Sequence, residues 1–141
     1  MTNPPNEPPR QVFFDVTPEI HATDSQGRFT YSLRIANESY LETRPYDEMR
    51  FVFSLWHPSA SRSIDLDRSY VELRASFDAD NEHWVKIAEI EPVVAPYAGG
   101  ESFDGWIVLP VLSTRMAFAL VGSGFEARAR LQARASLYLV P

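Results

Sequence analysis

A chain of 141 residues is one domain by length, and 45% apolar with 13% aromatic content suits a packed core rather than disorder. The formal net charge of −6 argues against broad nucleic-acid binding, which needs a basic footprint. With no Cys, disulfides, thiolate catalysis and Cys-ligated zinc are excluded.

The chain opens "MTNPPNEPPRQVFF", without the basic start and apolar run of a secretory signal. Synthesis in the cytoplasm is therefore expected, compatible with a final place in a particle or extracellular assembly. No run of about eighteen apolar residues occurs, so no membrane insertion is expected. Residues 1–11, with Pro4, Pro5, Pro8 and Pro9 and few apolar side chains, favour extended polyproline II and predict a Pro-rich arm. Within it Pro5, Pro8 and Arg10 form the pattern Pro-x-x-Pro-x-Arg that Pro-rich-peptide-binding domains accept, beside the plainer reading of a linker or arm.

From Val12 to Pro141 the pattern becomes that of a folded domain. In "RFTYSLRIAN" Phe29, Tyr31, Leu33 and Ile35 share one face and Thr30, Ser32 and Arg34 the other, which is the period of a half-buried strand. "MRFVFSLW" repeats the alternation with Met49, Phe51, Phe53 and Leu55, and "YVELRASF" with Val71, Leu73, Ala75 and Phe77. "HWVKIAEI", "WIVLPV" and "MAFALV" predict further short strands, separated by Pro- and Gly-rich turns. The last segment, "FEARARLQARASLYLV", is rich in helix formers, yet its apolar residues fall at every second position from Phe125 to Leu139. Period two predicts a strand there, beginning as loop or interrupted by a bulge. Strands of this length without a convincing amphipathic helix predict an all-β fold, an immunoglobulin-like antiparallel β-sandwich.

The order of these features resembles the adhesion-related (CARDB-type) immunoglobulin-like domains of bacterial secreted proteins. The resemblance rests on "RIAN" with Asn37, on "PYAGG" at Pro96 to Gly100 and on "WIVLP" at Trp106 to Pro110. It implies a non-catalytic module for adhesion, spacing or docking.

The densest cluster of polar chemistry is "SFDADNEHWVKIAEI", with Asp78, Asp80, Glu82 and Glu89. Calcium loops alternate Asp and add a Gly for the bend; no such Gly follows Asp80, so the stretch predicts a hairpin turn and no metal site. Trp84 within it is a candidate for stacking on a sugar or packing on a sheet. His21, His57 and His83 lack paired spacing, and "VGSGF" is not a nucleophile elbow, so neither an enzyme nor a cofactor is expected. On a strand Arg128 and Arg130 would stand about 7 Å apart on one face and Arg134 about 14 Å further, a stripe suited to an acidic partner or to the wet face of a sheet. The Ala residues opposite them imply close approach of another element, such as a second subunit. The functional expectation is a structural or docking subunit with a protein partner or as a homo-oligomer. A carbohydrate-binding module is the alternative.

Overall fold

The computed structural model of the chain describes residues 8–13, 20–33, 40–56, 68–77, 83–90 and 103–141. Ten strands follow in order: β1 (Arg10–Phe13), β2 (Ile20–Ala22), β3 (Phe29–Leu33), β4 (Leu41–Glu42), β5 (Glu48–Trp56), β6 (Tyr70–Ser76), β7 (Val85–Ile90), β8 (Phe103–Pro110), β9 (Arg115–Ser123) and β10 (Arg130–Val140). The all-β expectation holds, and the described residues contain no helix.

Two antiparallel sheets pack face to face. One runs β1-β10-β5-β8, with β2 continuing the β1 edge along β10; the other runs β3-β9-β6-β7, with β4 continuing the β3 edge along β9. Treating the split edges β1/β2 and β3/β4 as one strand each, every connection but one crosses between sheets. The exception is β6 to β7, which are consecutive and pair antiparallel, while residues 78–82 between them lie outside the described residues. This winding is that of a jelly roll. It differs from the immunoglobulin order, in which seven strands divide as ABED and CFG. The expected sandwich is present, wound differently, because strand alternation specifies buried faces but not which strands become neighbours.

The core follows the alternation. Phe29, Tyr31 and Leu33, then Met49, Phe51, Phe53 and Leu55, then Val71, Leu73 and Ala75 are buried between the sheets. Each fully buried Leu or Phe contributes about 1.5–3 kcal/mol relative to exposure. The layers are joined by an edge-to-face contact of Phe51 (β5) with Phe118 (β9), ring centroids 4.8 Å apart. Phe125 adds a second bridge, 5.1 Å from Phe29 and 6.0 Å from Phe103. Phe77 departs from its expected place: it lies beyond the end of β6 and is exposed, while Ser76 is buried with its hydroxyl 3.4 Å from that of Tyr40.

The C-terminal segment is a strand despite its helix formers, with burial alternating from Arg130 to Val140. A buried face outweighs propensity differences of a few tenths of a kcal/mol per residue. The strand starts later than the sequence pattern does. Ala127 is exposed, and Arg128 takes a left-handed conformation at φ 59° in the preceding turn. Ala133 and Ala135 are not a subunit contact. They are buried in the sandwich, in register with Leu55 and Phe53 of β5, where small residues beside large ones fill the interlayer space.

That preceding turn is clasped by the loop after β2. Thr23 N–H donates to the Ala129 carbonyl (2.8 Å), the Thr23 hydroxyl to the Glu126 carbonyl (2.6 Å), and Arg128 N–H to the Asp24 carbonyl (3.1 Å). The Asp24 carboxylate accepts from the backbone N–H groups of Gln26 and Arg28 and pairs with the Arg28 guanidinium at 3.2 Å. Those N–H donors, Arg28 first, hold the Asp24 carboxyl below its ordinary range. A depressed carboxyl pKa gives stability that is present above the unfolded value of about 3.9 and lost as pH falls through the folded one. Asp24→Asn is therefore expected to melt below the wild-type chain at pH 7, with the difference closing below pH 4; thermal melts across that range check it.

Candidate functional site

In β5, β8 and β10 the residues between the core positions point to the outer face of the first sheet. The registers align them in rows. Gln11, Tyr138, Arg50 and Val108 form one row, and Ser136, Val52 and Trp106 the next. Arg134, Ser54 and Asp104 follow, then Gln132 beside Trp56. This face is apolar at its centre: Trp106 is 62% exposed, Val52 48%, Val108 42% and Tyr138 37%.

Polar groups around that centre are tied down. Gln11 Nε2 donates to the Tyr138 hydroxyl at 2.7 Å, and Trp56 Nε1 to Gln132 Oε1 at 2.8 Å. The Ser54 hydroxyl donates to the Asp104 carboxylate, and Arg50 pairs with Glu48 at 2.7 Å. Arg134 sits in register with Ser54 and makes no ion pair among the described residues. Fixed aromatic and aliphatic groups within a hydrogen-bonded polar surround can meet a large surface without much loss of side-chain freedom.

The outer face of the second sheet is different in kind. Thr30 and Ser32 are exposed, Arg74 pairs with Glu72 at 3.1 Å, and Lys86 pairs with Glu89 while lying 5.6 Å from the Tyr70 ring centroid. The Tyr70 hydroxyl donates to Glu89 at 3.0 Å. The bond to Glu89, then the one to Tyr70, raises the Lys86 pKa above its ordinary value, and the bond from Lys86 lowers that of Glu89. Exposed pairs of this kind contribute little stability, but they keep the face wetted.

The structure separates the candidate residues read from the sequence. Arg130 and Arg134 share the outer face of β10 with Gln132 between them, so only Arg134 adjoins the apolar centre. Arg128 is off the strand, and no three-Arg stripe exists. Trp84 precedes β7 on the other sheet. Arg10 opens β1 in register with Leu139, and Pro8 before it is exposed. Pro5, the loop carrying Asp78, Asp80 and Glu82, and Asn37, His57 and Pro96 to Gly100 lie outside the described residues. Among the described residues no three His, Asp or Glu side chains group as a metal site.

Val52, Trp106, Val108 and Tyr138 were not singled out by the sequence reading, although a signal exists. "RFVFSLW", "WIVLP" and "SLYLV" carry apolar residues at both parities, more than one buried face requires. No protein-family model, curated protein or solved structure matches the chain.

Proposed function

We propose that the chain is a non-enzymatic structural or docking subunit of a larger protein assembly, a particle, appendage or coat, acting through the outer face of its first sheet and its N-terminal arm. The observation that carries this reading is the contrast between the two faces. One is covered by ion pairs; the other exposes Trp106, Val52, Val108 and Tyr138 together. A contiguous apolar patch with a polar surround marks a protein contact more often than a solvent face, and Trp and Tyr are the residue types enriched there. The arm fits the same role, because the nine residues before β1 would as polyproline reach about 28 Å and lose little entropy on docking.

The test is sedimentation of the wild-type chain beside Val52→Lys, which sets a charge at the centre of the face, and beside a deletion of residues 2–8, which leaves β1 whole. Both variants are expected to keep the sandwich by circular dichroism and to lose association. If both assemble as the wild type does, the reading fails.

A second reading, a small carbohydrate-binding module, has one observation in its favour. The exposed Trp106 indole stands two residues from Asp104, beside the Ser54–Asp104 hydrogen bond, and aromatic faces next to fixed acceptors suit sugars. A monomer that binds in a glycan screen, and loses binding in Trp106→Ala, would establish this reading in place of the first.

A further inference from the structure

Sheet edges are ready-made templates for pairing, and folded chains usually blunt them. Three of the four edges here are blunted. The β1/β2 edge is divided into strands of four and three residues, and the β3/β4 edge into five and two. The β7 edge carries Lys86 and Glu89 and shifts register against β6 between Leu73 and Arg74, which is the mark of a bulge.

The fourth edge, β8, has none of these devices. Its eight residues stay in unbroken register with β5, from Leu55↔Phe103 to Glu48↔Pro110. It holds no Lys or Arg; its one charge, Asp104, is engaged by Ser54, and its one Pro stands at the end. Among the described residues β5 flanks it on one side and no strand flanks it on the other. Its inner side is anchored. A Cβ on Gly105 would lie 2.5 Å from Ile90 Cγ2 and 2.6 Å from the Phe53 ring, so the missing side chain lets β7 close over β8.

We propose that β8 pairs antiparallel with β8 of a second copy of this chain about a twofold axis, joining two β1-β10-β5-β8 sheets into one continuous sheet. This rests on the assembly reading above and adds to it a contact at the edge of the sheet opposite the arm. The occupant is a second copy because antiparallel edge pairing is self-complementary: one strand meets itself when a twofold axis passes through it. With Ile107 of each copy on the axis, Trp106 of one copy stands opposite Val108 of the other, twice, on the exposed face. Aromatic and β-branched side chains are favourable cross-strand partners. Asp104 then faces Pro110 of the second copy rather than its own symmetry mate, so two chains of net charge −6 meet without a like-charge contact at the seam. A strand of eight residues spans about 27 Å, and so narrow a contact buries less than about 1,200 Å², which places association in the weak, micromolar class.

Sedimentation velocity of the full chain over about 1–200 µM is expected to show a monomer–dimer equilibrium. W106K/V108K and W106E/V108E, both at exposed positions, should each weaken it at least about tenfold, since like charges then face each other across the axis. Mixing the two variants should restore dimers. A mixture that stays monomeric, or variants that dimerise as the wild type does, overturns the proposal. Hydrogen exchange on the wild-type chain gives a readout that needs no substitution: β8 amides should slow as concentration rises. Association with β8 exchange unchanged overturns the edge and leaves the assembly reading standing. A chain that stays monomeric overturns the edge pairing, and takes the assembly reading with it only if glycan binding is also found.

Discussion

Phe118→Ala is expected to lower the free energy of unfolding by about 3–5 kcal/mol, the range for removing a buried aromatic ring. Phe118 is 2% exposed and meets Phe51 of the opposite sheet edge to face, so its ring is part of what holds the two layers at their spacing. Its lateral neighbours in register are Leu33 of β3 and Ala75 of β6, both fixed in strands. A cavity there has little freedom to collapse, which puts the loss toward the upper end of the range. Small domains have about 5–15 kcal/mol in total, so the variant should retain its fold only narrowly. Urea titration should show a lower midpoint with an unchanged slope. Phe77→Ala, at an exposed ring past the end of β6, should change stability by less than about 1 kcal/mol. A loss below 1 kcal/mol in Phe118→Ala would mean that the sheets do not meet at this pair.

Gly27→Ala is the second large effect, and its cause is backbone rather than side-chain packing. Gly27 has φ 74°, a left-handed conformation that costs an L residue about 1–2 kcal/mol. A Cβ there would also lie 2.0 Å from the carbonyl oxygen of Phe125, a backbone atom that cannot rotate away. The loop would have to move off Phe125, breaking the bond from Phe125 N–H to the Gly27 carbonyl (3.3 Å) and disturbing the ring that packs edge to face on Phe29 and tilted against Phe103. A total of about 2–4 kcal/mol follows. The neighbouring Gln26→Ala, at an exposed position, should stay within about 0.5 kcal/mol. Equal melting temperatures for the two variants would show that the clasp between residues 23–28 and 124–129 does not constrain Phe125.

The strands from Phe29, Met49, Tyr70 and Arg130 were legible because a pleated chain turns successive side chains to opposite faces, and each segment wrote that period in its own residues. The same rule resolved the C-terminal segment against its helix formers, and Leu131, Leu137 and Leu139 are all buried as the alternation requires. Alternation is a local property, and it carried no information about partners. The short strands β1, β2 and β4 exist only as edges laid along β10 and β9, so nothing within Arg10–Phe13 or Leu41–Glu42 announced them. The jelly-roll winding likewise depends on which distant strands hydrogen-bond, a choice made by loop crossings and the fit of two whole faces. Tertiary structure also reassigned particular side chains. It withdrew Arg128 from the strand through a turn clasped by Asp24, and it sealed Ala133 and Ala135 beneath large neighbours on β5. Above all it decided the fate of Val52, Trp106, Val108 and Tyr138. Their sequence places them opposite the core, but an apolar residue on a strand's second face is buried or exposed only according to whether another layer covers it, and among the described residues none does.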